Sequence, residues 1–201
     1  MKPQSLLSEL IDAFCCLPGV GKKSAQRMAY HLLDKNRQGG LLLSSHLQQS
    51  MRDIGNCSRC RDYTEVDECQ ICQNSRRDEA ILCVVESPSD VVAIESTACF
   101  HGKFFVLLGQ LSPLDGVGPN EIGMPLLAKR LAEGVVKEVI VATSSTIEGE
   151  ATAHYIAQMT QQNVDNSIQV TRLAQGVPVG GELGYLDQST LSLSLTNRKA
   201  I

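Results

Sequence analysis

The sequence predicts an α/β fold with a mostly parallel sheet in its second half, preceded by an all-helical module and a small cysteine-rich module. The α/β assignment depends on four short apolar, β-branched runs that alternate with helical stretches after Asp78. The helical module is predicted from apolar residues that recur every three or four positions near the N-terminus. Between them, four regularly spaced cysteines indicate an irregular metal-binding module. The predicted boundaries are 1–55 for the helical module, 56–78 for the cysteine module, 79–176 for the α/β domain and 177–201 for a C-terminal tail with oligomer contacts.

Composition places the chain among globular proteins without a membrane-spanning segment. Of its 201 residues, 43% are hydrophobic and 20% are charged, a balance that suits a packed core and a solvated surface. No apolar run approaches the roughly 18 residues of a membrane span, and Glu9 and Asp12 interrupt any signal-peptide core. We therefore expect a cytoplasmic location, where reducing conditions favour metal binding over disulfides for the cysteines.

Three amphipathic helices are predicted in the helical module. The turn between the first two reads LPGVG, and a loop with the sequence NRQGG is predicted before the third. The apolar positions that define the helices are Leu6, Leu7, Leu10, Ile11 and Phe14; Ala25, Met28, Ala29, Leu32 and Leu33; and Leu43, Leu47, Met51 and Ile54.

The LPGVG turn has the features of a phosphate-binding hairpin. Gly19 and Gly21 let the backbone turn tightly and approach a ligand, and the next helix directs free N–H groups at an anion. Lys23 and Arg27 share a helix face beside the turn, whereas Lys22 is the weaker candidate for a phosphate contact. The turn resembles the helix–hairpin–helix motif, which holds a DNA phosphate through backbone amides without reading bases. The alternative is an ordinary helical corner with solvated lysines.

The charge distribution agrees with a local phosphate contact. The net charge is −4, which argues against wholesale coating of a nucleic acid. Between Gly19 and Arg37, however, five lysines and arginines stand against a single acid, Asp34. A basic face on an acidic protein is compatible with localised phosphate binding.

Four cysteines have the spacing of a structural zinc site. Cys57, Cys60, Cys69 and Cys72 form two CxxC pairs, and each pair can bring two sulfurs to one ion. Since four thiolates close the site to any substrate, one structural zinc ion per chain is predicted. An iron–sulfur cluster and a redox pair are the alternatives. The remaining cysteines are predicted to be core residues: Cys15, Cys16, Cys83 and Cys99.

The α/β domain is predicted from alternating strands and helices. In such sheets, function collects at the C-terminal ends of the strands. The predicted strands are 81–87, 103–109, 138–143 and 167–174, and the predicted helices are Asp90–Thr97, Gly123–Glu133 and Glu148–Met159.

Glu86 lies at the predicted C-terminal end of the first strand of this domain, where a metal ligand would belong. The residues after it have the pattern of a helix start, with Ser87 as the cap, Pro88 at the first helical position and Asp90 at the third. Asp90 is therefore assigned to the helix start, whereas Glu86 is open to both interpretations.

A second group of acids follows the third strand. We predict a capping box in which Ser145 is the cap and Glu148 closes it. Glu150 is two residues further along the helix and is expected to point away from the strand end, so the two glutamates are poorly placed to chelate one ion. Ser144 and Thr146 occupy the positions where an Asp-x-Asp pair could hold a metal, and hydroxyls are weak ligands.

These modules, in this order, resemble the RecR family of bacterial recombination-repair proteins, as do the segments SPLDGVGP, TSSTIEGEATA and GVPVGGEL. The α/β half resembles the Toprim domain of type IA topoisomerases and primases, in which a Glu and an Asp-x-Asp pair hold magnesium. Glu86 would fill the first role, with Ser144 and Thr146 at the other two positions. GVPVGGEL is similar to a Walker B element, but no G-x4-GK[ST] motif supports an NTPase site.

The resemblance implies a mediator of recombination that is not an enzyme. Proteins of this family form rings or clamps from dimeric units, act with RecO and RecF, and help to load RecA on gapped single-stranded DNA. By the same resemblance, Glu86, Glu148 and Glu150 would shape a surface for a partner such as RecO. Two alternatives stay open: a metal-dependent nuclease or primase, and a protein–protein scaffold without direct DNA binding.

Overall fold

The computed structural model describes residues 5–163, 167–174, 176–196 and 198. The chain divides into two compact units, one ending at Ile54 and the other beginning at Gly55. No helix among the described residues has the length and apolar character needed to cross a membrane.

The N-terminal unit is helical, as predicted. Ser5 caps the first helix by accepting a hydrogen bond from the Ser8 amide at 3.2 Å. Ala25 and Ala29, on the predicted apolar face of the second helix, are fully buried. The helices are α1 (Leu6–Phe14), α2 (Lys22–Asp34) and α3 (Arg37–Asp53).

The loop predicted at NRQGG is wrong, because α3 already begins at Arg37. Asn36 caps this helix, and its Oδ1 accepts a hydrogen bond from the Gly39 amide at 2.9 Å. A good cap offsets the low helix propensity of two consecutive glycines. Gly40 also lies close to α2, where a Cβ in its place would be 3.6 Å from Leu32 Cβ.

The second unit contains the cysteine module and the sheet. Between residues 78 and 172 its helices and strands fall close to the predicted segments, whereas the short elements around the cysteines were not predicted. The helices and strands of this unit are β1 (Gly55–Asn56), β2 (Tyr63–Thr64), α4 (Gln70–Gln73), β3 (Asp78–Val85), α5 (Pro88–Ser96), β4 (Gly102–Val106), α6 (Met124–Leu131), β5 (Glu138–Ala142), α7 (Ile147–Asn163), β6 (Gln169–Arg172) and α8 (Gln188–Thr196).

Four parallel strands form the sheet in the order β4-β3-β5-β6, which confirms the predicted α/β class. Both faces of the sheet are apolar: Leu82 and Val84 pack into one cluster, and Cys83 and Val85 into another. Because Val85 pairs with Ala142, the ends of β3 and β5 lie side by side at the C-terminal edge of the sheet. The residues that follow these two strands are therefore brought together.

The prediction that all four remaining cysteines are core residues is only partly right. Cys83 is 2% exposed and lies on β3. Cys15 is half-buried, whereas Cys16 and Cys99 are exposed. Both exposed cysteines follow the end of a helix, where the chain turns at the surface and local hydrophobicity no longer indicates burial.

Candidate metal centre, phosphate-binding hairpin and strand-end site

The structure brings the four predicted metal ligands together. The sulfurs of Cys57, Cys60, Cys69 and Cys72 all lie within 4.8 Å of one another, and those of Cys60 and Cys69 are 3.5 Å apart. The Cys69 amide donates to Cys57 Sγ at 3.3 Å. Arg61 takes a positive φ of 67° where the chain turns back after the first pair.

The geometry of the cysteine cluster fits a tetrahedral metal ion. Four thiolates at about 2.3 Å from a zinc ion would place the sulfurs about 3.8 Å apart, which the observed cluster can provide with small shifts. Three of the cysteines are buried and Cys72 is half-buried, as expected for a closed structural site. When a metal is bound, it would crosslink the two ends of a module that has little apolar core of its own.

The cysteine module, residues 55–77, covers the outer edge of the sheet. The amide of Val106 on the edge strand β4 donates to the Cys60 carbonyl at 2.8 Å. Arg61 donates to the Leu107 carbonyl at 2.9 Å and to the Ile122 carbonyl at 2.6 Å. Since unpaired edge strands invite association with other chains, this contact both anchors the module and protects the edge.

Two buried cations on the sheet side of this contact were not predicted from the sequence. Lys103 Nζ donates to the carbonyl oxygens of Ile71, Cys72 and Asn74, with 2.8 Å to Cys72. Arg130 donates to the Arg59 carbonyl at 2.9 Å. The only sequence signal was a lysine that opens an apolar strand and an arginine within an apolar helix face.

The LPGVG turn is open to a ligand. Gly19 has a φ of +76°, which favours glycine, and Gly21 is the N-terminal cap of α2 without a side chain that could satisfy the first amides. A Cβ added at either glycine would meet no atom within 4 Å, so the backbone is accessible. The first turn of α2 contains no acid and begins with Lys22 and Lys23. Such a helix start can accept an anion.

The basic residues beside the turn differ in their environment. Lys22 Nζ lies 2.6 Å from Asp12 Oδ1, and this hydrogen bond raises the pKa of Lys22. Lys23 and Arg27 lie on the exposed side of α2. The charge of Lys22 is therefore balanced in part by Asp12, and its rank as the weaker candidate for a phosphate contact stays a prediction.

The C-terminal ends of β3 and β5 meet at Glu86. Ser144 donates to Glu86 Oε1 from its amide at 3.0 Å and from its hydroxyl at 3.1 Å. The hydroxyls of Ser144 and Thr146 are 2.8 Å apart, and Gln110 Oε1 lies 3.4 Å from Ser144 Oγ. Gln110 was not predicted. The strand-end site, defined as these four residues, therefore offers one carboxylate, one amide and two hydroxyls.

The capping box predicted at Ser145 and Glu148 is wrong by one residue. α7 begins at Ile147, and Thr146 Oγ1 accepts a hydrogen bond from the Gly149 amide at 3.1 Å. A Cβ on Gly149 would lie 2.3 Å from the Ser144 carbonyl oxygen, so the third helical position has no room for a glutamate. The predicted helix start at Ser87 is confirmed, since its amide donates to Asp90 Oδ2 at 2.8 Å.

Glu150 does not point away from the strand end as expected. Its carboxylate pairs with the guanidinium of Arg172 on β6, and the same guanidinium donates to the Ser144 carbonyl at 3.1 Å. Glu148 lies half-buried in the first turn of α7. An arginine that could not be foreseen from local sequence thus links Glu150 to the strand-end site.

Comparison with known proteins agrees with both units. Family models match at residues 7–51 (RecR, helix-hairpin-helix), 80–174 (Toprim domain) and 176–199 (RecR, C-terminal). The chain is 54% identical over 197 residues to proteins named Recombination protein RecR from two strains of Xanthomonas campestris pv. campestris, 8004 and ATCC 33913. Each alignment covers 98% of this chain and 98% of the relative. On this likeness along nearly its whole length, the chain belongs to the RecR family of recombination proteins.

Proposed function

We propose that this protein is a recombination mediator that binds the DNA backbone without base specificity and catalyses no reaction on it. The observation that carries DNA binding is the accessible Gly19–Gly21 turn at the start of a helix that presents Lys23 and Arg27. Backbone amides and a helix N-terminus suit phosphate oxygens and carry no sequence information. By resemblance to its family, the substrate would be gapped or single-stranded/double-stranded junction DNA.

The absence of catalysis is supported by the donor set of the strand-end site. Magnesium-dependent phosphoryl chemistry needs carboxylates that hold the ion where charge develops. Here Glu86 is the single carboxylate, and Ser144 and Thr146 stand at the other two positions. Arg172, which donates to the Ser144 carbonyl, is ion-paired with Glu150, so the Glu150 carboxylate is engaged by a cation instead of being offered to a metal.

The metal proposed for the cysteine cluster is zinc, one ion per chain, with a structural role. Four thiolates in two CxxC pairs suit zinc, and a closed coordination shell suits stabilisation. Metal analysis of the purified protein would distinguish zinc from iron. A protein that contains neither metal would contradict the proposal.

Self-association is proposed from the exposed apolar residues of the helical unit. None of the residues of α3 is buried within the chain, and Leu41 and Met51 are 67% and 77% exposed. Within the C-terminal tail, Val179 and Tyr185 are also exposed. Apolar surface of this extent favours contacts between copies, which agrees with the dimer-based rings or clamps of the family.

RecO and RecF are the proposed protein partners, with Glu86, Glu148 and Glu150 contributing to the surface for RecO. Under this hypothesis, Glu148→Ala weakens RecO binding while metal content is unchanged. Glu65→Ala, which changes an exposed acid of the cysteine module, is the control. Equal RecO affinity for Glu148→Ala and the unaltered protein would rule this residue out.

The whole proposal is tested by measuring mass in solution with and without a gapped DNA, followed by RecA loading with RecO and RecF. We expect an oligomer that binds gapped DNA with a steep salt dependence and accelerates RecA loading. An oligomer that fails to bind DNA would support the scaffold alternative. Magnesium-dependent cleavage or synthesis would support the enzyme alternative.

A further inference from the structure

Lys103 and Arg130 are buried cations that form no ion pair with a carboxylate among the described residues. Lys103 is 3% exposed and Arg130 is 8% exposed. Their hydrogen bonds go to backbone carbonyls, and neither forms an ion pair with an acid in the part of the chain that the structure describes. Carbonyl oxygens satisfy donors but leave the net charge in place, and a buried net charge is strongly unfavourable unless it is compensated.

Both cations lie against the cysteine cluster. Cys72, Lys103 and Arg130 line one cavity of about 30 Å³, room for about one water molecule. Lys103 holds the Cys72 carbonyl at 2.8 Å, and Arg130 holds the carbonyl of Arg59, the residue before Cys60.

The charges match a metal-loaded cluster. Four thiolates and one divalent ion leave a net charge of −2, and Lys103 and Arg130 together supply +2. The other charged residues that line the cavity are Arg59 and Glu133, which pair with each other at 2.8 Å, and Glu79, which is exposed to solvent. We propose that Lys103 and Arg130 are the counter-charges of the metal–thiolate centre and determine how tightly the metal is held. This inference rests on the proposal that the cluster binds zinc.

Metal affinity therefore depends on residues of the sheet domain as well as on the cysteine module. Lys103 belongs to β4 and Arg130 to α6, so neither is part of the segment that contains the ligands. Both residues act on the metal indirectly, through their charge and through the backbone carbonyls that they bind. They are therefore positioning residues. They also offset the cost of four thiolates in a site that is largely closed to water.

The test measures zinc affinity of the full chain by competition with a chromogenic chelator. Groups around metal ligands typically change affinity by 10–100-fold, so we expect Arg130→Met to weaken zinc binding about tenfold. Arg130→Lys, which keeps the charge, is expected to stay close to the unaltered protein. Lys129→Met removes an exposed charge from the same helix and is the matched control, with unchanged affinity expected.

The outcomes separate this inference from the metal proposal. Equal zinc affinity for Arg130→Met and the unaltered protein, or equal weakening by Arg130→Met and Arg130→Lys, would overturn the counter-charge role while zinc binding stands. If the unaltered protein binds no metal, the metal proposal itself fails. Circular dichroism reports whether each variant is folded. Should Arg130→Met not fold, Lys103→Met and Lys103→Arg give the same comparison of lost and retained charge, with the same expected and contradicting results.

Discussion

The backbone amide of Ser144 donates a hydrogen bond to the carboxylate of Glu86 across 3.0 Å, and the Ser144 hydroxyl donates a second one to the same oxygen. The acid at the end of β3 is thereby held by neutral donors of the neighbouring strand end. By the resemblance to catalytic Toprim domains, the Ser144 position would carry a second ligand carboxylate in a magnesium site. The two hydrogen bonds link the ends of these neighbouring strands directly.

Restoring the carboxylates should restore cation binding. We expect the double variant Ser144→Asp, Thr146→Asp to bind Mn²⁺, observed by paramagnetic resonance, whereas the unaltered protein shows no Mn²⁺ bound at Glu86. Adding Glu86→Gln to the double variant should abolish the binding. Mn²⁺ bound by the unaltered protein and lost with Glu86→Gln alone would show that the strand-end site is a functional metal site.

The cysteine cluster gives a prediction on stability. Structural zinc sites contribute on the order of 10–16 kcal/mol of apparent binding free energy, and the cysteine module has few apolar residues to replace it. Cys57→Ser should therefore lose the metal and lower the melting temperature or solubility. Cys99→Ser changes an exposed cysteine outside the cluster and should leave metal content and melting temperature unchanged. Full metal content in Cys57→Ser protein would contradict the assignment.

The fold class could be predicted because its signals are local. Apolar, β-branched runs give the strands β3 to β6, and periodic apolar residues give the helices around them. The two CxxC pairs predict a metal cluster because ligand spacing alone brings the sulfurs together. Two helix starts were predicted wrongly, because the glycines after Asn36 indicated a loop and Ser145 competed with Thr146 for the cap of α7.

The features of the sites that were not predicted depend on contacts between residues that are far apart in the sequence. Arg172 reaches the Ser144 carbonyl only because β6 pairs with β5 in one particular register. Lys103 contacts the Cys72 carbonyl across 31 positions of the sequence, and Arg130 contacts the Arg59 carbonyl across 71. Both residues were left unassigned from the sequence, because the burial of a cation becomes visible only once its partners are placed.

DNA binding should depend on Lys23 and Arg27. The double variant Lys23→Ala, Arg27→Ala is expected to weaken binding equally for different base sequences. Each lost phosphate contact should flatten the slope of log affinity against log salt by about 0.7–0.9. Lys35→Ala, at the other end of α2, is the control and should have little effect. Normal DNA affinity of a double variant with an intact oligomer would exclude these residues.

Asp12 should weaken DNA binding at the same basic surface. Its carboxylate holds Lys22 beside the turn and places a negative charge near the expected phosphate. Asp12→Asn should therefore strengthen DNA binding modestly, as expected for an exposed charge, and steepen the salt dependence. Asp34→Asn removes the same charge at the distant end of α2 and should leave affinity unchanged. Weaker binding by Asp12→Asn would place the phosphate elsewhere.

The buried thiol of Cys83 should make stability depend on pH in the alkaline range. Burial raises the pKa of this thiol from 9.0 to about 12, so the folded chain keeps a proton that the unfolded chain releases. The stabilising contribution is therefore fully present below pH 9 and declines as pH rises toward the folded value. Between pH 9 and 10.5 the free energy of unfolding should fall by up to about 1.4 kcal/mol per pH unit from this group.

Urea unfolding of Cys83→Ala and of the unaltered protein at several pH values measures this contribution. The variant should be less stable at pH 8, because it loses buried contacts, and the difference between the two proteins should shrink as pH rises above 9. Cys99→Ala, an exposed thiol, should run parallel to the unaltered protein across the range. A constant difference between Cys83→Ala and the unaltered protein from pH 8 to 10.5 would mean that Cys83 ionises without penalty in the folded state, in conflict with its burial on β3.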